Sequence, residues 1–377
     1  MERRGFLKNI AAGSAAGLLL PATIHADTIE FPQSEKDRRY FELTLVHNLI
    51  PPEGSAGVTR LWVPLPEDTT FQQNSRISFE GNYREAYITT NNAYGAKTLF
   101  AEWPDANNKP TLSVTIGVFT RDWEPERNGF LANYQVPADI IYPKEIELYL
   151  AATARIRTDG IVKQTADKVV GDETNPLKKA RRIYEWVSAN MTRDNSIAGC
   201  GTGDVKAILE SGKLTGKCTD INSIFVALAR AANIPAREMF GIRLGKSIKM
   251  DRYTKTALGS ADANGLSNVS GGQHCRAMFY LAGFGWVPCD PADVTKMRLT
   301  ENKEHNDPDV QAVNNYLFGN WEMNWVGFNF GRDFDIFPKP EQTPINNFGY
   351  PYAEVDGDPM NYYDPKVFSY DYSSQEK

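Results

Sequence analysis

Residues 216–237 read GKCTDINSIFVALARAANIPAR, and the rest of the chain can be organised around them. Ile221, Phe225, Leu228 and Ala232 recur at i, i+4, i+7 and i+11, one apolar stripe of an α-helix that starts near Lys217. Asn233 and Pro235 stop it. Cys218 therefore lies in the first turn. A cysteine there faces backbone N–H groups with no intrahelical partner and the positive end of the helix dipole. Both favour thiolate over thiol.

Downstream, residues 274–290 predict a β-hairpin with Gly283 and Gly285 in or near its turn. His274 opens the hairpin and Asp290 ends it. In an antiparallel pair the two can be neighbours on one face. Asp290 then accepts a hydrogen bond from one imidazole nitrogen and leaves the other to face the sulfur. Cys218, His274 and Asp290 thus fit the roles of nucleophile, base and orienter. The remaining histidines suit this less well: His25 sits in an N-terminal apolar segment, His47 in a strand and His305 in a polar loop. If 274 pairs with 290, the constant register sum puts Cys275 opposite Cys289 on the reverse face. The two would be close in space and candidates for a cross-strand disulfide, with Cys200 left over.

The segments around these residues carry a family resemblance. GKCTD (216–220) and ALARAANIPAR (227–237) resemble the cysteine helix of the transglutaminase-like superfamily. HCRAMFY (274–280) and GWVPCDP (285–291) are similar to its histidine and aspartate strands, and IYEWV (183–187) to the helix packed before the cysteine helix. The likeness covers about residues 170–295. It implies Cys218 as nucleophile, His274 as base and Asp290 as orienter. The implied enzyme cleaves or transfers amide and peptide acyl groups through a thioester, on a protein or peptide substrate, with no cofactor and no metal. Hydrolysis is favoured, because water is everywhere whereas an amine site must be built. The family also holds members without activity, so a non-catalytic binding or envelope-assembly module is the alternative. Arg276 and Met278 stand where the family's histidine strand often carries an aromatic and an acid.

Working outward, residues 39–120 read as strands. Phe41, Leu43 and Leu45 alternate with polar neighbours, as do Leu112, Val114, Ile116 and Val118, between clusters of Gly, Asn and Pro. The expected fold class is α+β: an N-terminal antiparallel β-sandwich, then a papain-like, transglutaminase-like core with an antiparallel sheet. Residues 121–170 read as a connector with some strand character. Asn175 can cap a helix with Pro176 at its first position and Leu177, Ala180, Tyr184 and Val187 along one stripe. A short helix is expected at Val205–Glu210, stopped by Gly212. Residues 246–272, rich in Gly, Ser and Asn, read as a surface loop. Beyond residue 300 the chain is aromatic and irregular, with Trp321, Trp325, Phe328 and Phe330; its aromatic stretches, Trp321 to Phe337 and Tyr350 to Tyr372, are expected to pack as a satellite core over a sheet, the alternative being a groove for an extended substrate. These signals divide the chain into 1–26, 27–150, 151–300 and an extension, 301–377, packing on the core.

Several motifs mislead. Gly199, Gly201 and Gly203 lack the spacing of a dinucleotide loop, and Gly212–Cys218 has neither the spacing nor the Ser/Thr of a phosphate loop. Cys200, Cys218, His274 and Cys289 show no zinc-site spacing. Asp356, Asp358 and Asp364 lack that of a calcium loop.

Composition bounds the rest. The 377 residues are 41% hydrophobic and carry 41 basic and 47 acidic side chains, net charge -6. That excludes a disordered chain and argues against nucleic acid as a partner. Residues 1–26 combine a basic start, an apolar run from about Ile10 to Leu20 and a small residue, Ala26, at a cleavage point. Arg3-Arg4 with Phe6-Leu7-Lys8 resembles a twin-arginine export signal. No later stretch reaches the roughly 18 apolar residues that span a bilayer. The expected product is a periplasmic or secreted protein with no membrane span.

Overall fold

The alternation of Phe41, Leu43 and Leu45 becomes one face of a sandwich. The protein is described here by a computed structural model that covers residues 38–377 apart from 56, 106–108 and 130. The export-signal reading therefore lies outside the described residues. The strand Arg38–Leu49 buries every second residue from Phe41 to Leu49. It sits centrally in a five-stranded antiparallel sheet, between Phe368–Glu376 and Thr111–Arg121, with Leu266–Asn268 and Gln72–Gly81 at the edges. A second five-stranded sheet has Thr59–Pro64 and Thr98–Trp103 at its centre. Leu43, Leu45, Val114 and Ile116 of the first sheet pack against Leu61, Val63, Leu99 and Trp103 of the second. The second sheet's central strands are buried on both faces, because Phe334, Ile336, Ile345 and Phe348 cover Trp62 and Phe100 from outside.

The mixed core follows. Its sheet has the order Gly285–Cys289, Gln273–Leu281, Ala236–Arg243, Trp325–Asn329, all antiparallel. The helix Cys218–Ala231 packs on it through Phe225, Leu228 and Phe279, with Ile183, Tyr184 and Val187 of the helix Pro176–Asn190 behind. The apolar cost of exposing such side chains, about 1.5–3 kcal/mol each, fixes the helix to the sheet. The helix beginnings read from sequence hold. Asn175 Oδ1 accepts from the N–H groups of Leu177 and Lys178, Pro176 is the first helical residue, and a short helix spans Val205–Glu210. This is the α+β class expected.

Three expectations change. The segment 121–170 contains the helix Gly160–Val170, whose Val162, Ala166 and Val170 are buried at helical spacing. The hairpin register is slid by two residues: Cys289 pairs with Ala277, and Cys275 pairs with Phe240 of the neighbouring strand on the other side. Cys275 and Cys289 are therefore not opposite each other, and all four cysteines are free thiols. A slide of two keeps every side chain on its face, which is why the face assignment survives and the pairing does not. Finally, 246–272 is more than a surface loop. Met250, Leu258 and Val269 are buried, and Leu266–Asn268 pairs with the C-terminal strand.

The chain beyond residue 300 does more than pack on the core. Trp325–Asn329 extends the core sheet, Tyr352–Val355 pairs with Thr59–Pro64, and Phe368–Glu376 pairs with Arg38–Leu49. Trp321 and Trp325 do form a satellite core, with Phe71, Met239, Met278 and Met323. Among the described residues no helix is long and apolar enough to cross a membrane.

Candidate active site

Cys218 is the first residue of its helix, capped by Lys217. Asp220, in the same first turn, accepts from the N–H of Lys217 at 2.8 Å and from the N–H of Gly203 at 2.7 Å. Its carboxylate thus ties the glycine-rich loop to the helix start. Gly201 there has φ +92°, and a Cβ would lie 1.9 Å from Asp220 Oδ2, so only glycine fits. The carbonyl of Cys200 accepts from the N–H of Thr219 at 2.9 Å. This brings the Cys200 side chain over the nucleophile position.

His274 and Asp290 converge on that thiol from the sheet. His274 Nε2 donates to Asp290 Oδ2 at 2.7 Å and lies 3.6 Å from Asp293 Oδ1. Nδ1 is the nitrogen left to face sulfur, and the imidazole lines the same cleft as Cys218 and lowers its thiol. Asp290 is fully buried and also caps the helix Pro291–Thr300, accepting from the N–H of Asp293 at 3.2 Å. Trp325 holds the other end of the histidine: its Nε1 donates to the carbonyl of His274 at 2.9 Å. Gly241, paired with His274, leaves room for that indole, since a Cβ would sit 2.6 Å from its ring. The structure thus brings together all three residues singled out from sequence. It does not bring Cys289 into the group.

The electrostatics separate the charges. The thiols of Cys200 and Cys275, and then the imidazole of His274, hold the Cys218 thiol well below the usual cysteine range, against burial. Burial and then the Cys218 sulfur push the Cys275 thiol well above that range, and the Cys218 sulfur and then burial do the same to Cys200. Burial and Arg243 oppose protonation of His274, yet Asp293 and Asp290 outweigh them and raise it. Both shifts favour thiolate beside imidazolium. The two acids differ. Burial and then Asp293 raise Asp290, whereas Arg243, with His274 and Lys296, outweighs burial at Asp293 and holds it well below the carboxylate range.

Sequence reasoning missed these supporting groups. Arg243 Nη2 donates to Asp293 Oδ1 at 2.5 Å. Arg276, one of the two departures from the family pattern, is buried with Nε 3.5 Å from Asp290 Oδ2 and its guanidinium 4.9 Å from the Trp325 ring. It serves the aspartate, and Met278 fills the satellite core. Tyr350 lies 3.2 Å from Cys200 Sγ through its hydroxyl. The only legible signal was the Asp-Pro-Ala-Asp run, in which Asp293 sits one turn after Asp290. His274, Asp290 and Asp293 have ligand atoms within 4.8 Å of one another. Arg243 and Arg276 already balance those carboxylates, so a cation would meet little uncompensated negative charge.

The site opens into a cleft of about 350 Å³. Gln273 lines it, and its side-chain Nε2, buried, has no hydrogen-bond partner among the described residues.

Comparison with known proteins places these residues in a wider group. The model of the transglutaminase-like superfamily matches residues 163–291. An uncharacterized protein of Haemophilus influenzae is 59% identical over 366 residues, 97% of this chain and 98% of that one. Among solved structures, a presumed cysteine protease from Cytophaga hutchinsonii is similar over 90% of both chains, with a TM-score of 0.50 and 14% identity. The periplasmic domain of TgpA from Pseudomonas aeruginosa aligns with 74% of this chain and 93% of its own, with a TM-score of 0.33 and 11% identity.

Proposed function

We propose that this chain, whose residues 163–291 match the transglutaminase-like superfamily, is a thiol enzyme acting on amide bonds, with Cys218 as nucleophile, His274 as acid and base, and Asp290 as orienter. The observation that carries this reading is the Cys218 thiol beside an imidazole held by Asp290 at 2.7 Å. The thiolate attacks the carbonyl carbon of a carboxamide or peptide. His274 gives its proton to the departing amine, and a thioester remains on Cys218. Water, deprotonated by the now neutral His274, cleaves the thioester and restores the thiol. The backbone N–H of Cys218 and the unpartnered amide of Gln273 are the donors we assign to the oxyanion. Hydrolysis is favoured over transfer to an amine, and the substrate is a protein or peptide. We further propose that residues 1–26 are a cleaved twin-arginine-type signal and that the enzyme works in the periplasm or outside the cell.

The test is intact mass after iodoacetamide at pH 6. One fast alkylation is expected, absent in Cys218→Ala and slowed at least about tenfold in His274→Ala. Slow labelling that ignores His274 would sink the reading.

A further inference from the structure

The charges lining the cleft do not balance. Arg243 and Asp293 satisfy each other at 2.5 Å, and Cys218 and His274 form their own pair. Arg193 and Lys296 remain, both lining the same cleft. Among the described residues neither makes an ion pair. Arg193 Nε donates to Asn195 Oδ1 at 2.9 Å and Lys296 Nζ to the carbonyl of Ala257 at 2.6 Å. Burial, then Arg243 and Arg193, lower the Lys296 ammonium to about 8, against the pull of Asp293 and Cys218. Two cations crowd one partly desolvated space, an arrangement that an anion relieves.

Their positions are fixed by the catalytic elements. Arg193 ends the two-residue strand Thr192–Arg193, which pairs with Thr215–Gly216 just before Cys218. Lys296 lies on the helix that Asp290 caps. Both cations are thus held at set places beside the thiol rather than on a mobile surface. A guanidinium and an ammonium offer five and three donors and no acceptor, the complement of a carboxylate.

Resting on the reading of Cys218 as nucleophile, we propose that Arg193 and Lys296 form an anion subsite beside the thiol, and that the acyl donor is an acidic peptide with a carboxylate near the amide under attack.

The readout is the ratio of the alkylation rates of Cys218 by iodoacetate and by iodoacetamide at pH 7, followed by intact mass. Both reagents meet the same thiolate, so its reactivity cancels and the reagent's charge remains. Arg193→Gln and Lys296→Gln are each expected to lower the ratio about fivefold, and the double variant about twentyfold. Lys296→Arg keeps it. A double variant within about twofold of the unaltered protein overturns the subsite and leaves the nucleophile standing. No labelling by either reagent overturns both. Without any variant, the dipeptide Ala-Glu is expected to protect Cys218 from iodoacetamide about fivefold better than Ala-Gln. Equal protection, or stronger protection by inorganic phosphate than by Ala-Glu, overturns the proposal.

Discussion

One side of the cleft carries Cys218 and His274, with Asp290 buried behind the histidine, and much of the rest of its lining is made differently. The first side is a helix start and a strand, buried and braced by Trp325, Arg276 and the Phe225–Phe279 contact. Much of the rest is irregular backbone, from 257 to 260 and from 269 to 272, with Arg193 and Lys296 also in the lining. Bond-making needs atoms held to a fraction of an ångström, and regular elements give that. Recognition needs charge and shape, which irregular backbone supplies. The contrast says where tolerance to change should lie.

It can be broken first at the acids. Asp290→Asn is expected to lower kcat for amide turnover about 10⁴-fold, through the wrong imidazole tautomer, and Asp293→Asn about tenfold. A larger loss at Asp293 would exchange their roles. Next, Phe225→Ala should cost about 3–5 kcal/mol in denaturant unfolding, whereas Ile248→Ala, 66% exposed in the segment beyond the cleft, should stay within about 0.5 kcal/mol. Third, Gln273→Ala should lower kcat about 10²-fold with KM nearly unchanged, as loss of an oxyanion donor does. A change in KM alone would move Gln273 to substrate binding.

The smallest effect is in pH. His274 is raised from its ordinary 6.5, so its contribution to stability is complete below 6.5 and lost as pH rises through the raised value. Cys218 is lowered from its ordinary 9.0, so its contribution is complete above 9 and lost as pH falls through the lowered value. Between the two shifted values, within the window from 6.5 to 9, the thiolate–imidazolium pair and the unfolded thiol with neutral imidazole bind equally many protons. The pair therefore predicts a stability plateau there, and Cys218→Ala, which leaves only the raised imidazole, should turn it into a fall with rising pH when denaturation midpoints are measured against pH.

The cysteine helix was legible because its apolar stripe, its breakers and its active residue are all local. The hairpin was legible in its faces but not its register, because a period of two cannot distinguish a slide of two residues. The helix Gly160–Val170 was hidden by a short, weak stripe. Arg243, Arg276 and Asp293 carried no motif; each matters through a partner set by the tertiary fold. The same holds for Cys200 and Tyr350, 150 residues apart in sequence and 3.2 Å apart in space. The end of the strand Phe368–Glu376 escaped because Ser373, Ser374 and Gln375 replace the apolar residues that usually announce a strand.

The pairing of Phe368–Glu376 with Arg38–Leu49 has a consequence for synthesis. His47 Nε2 meets the Tyr372 hydroxyl at 2.7 Å across 325 residues of chain. Until residues 368–376 are translated, Arg38–Leu49 lacks one neighbour and presents an open edge that other chains can pair with. The sandwich therefore closes only long after its first strand is made, and a chain cut short before residue 368 keeps an aggregation-prone edge.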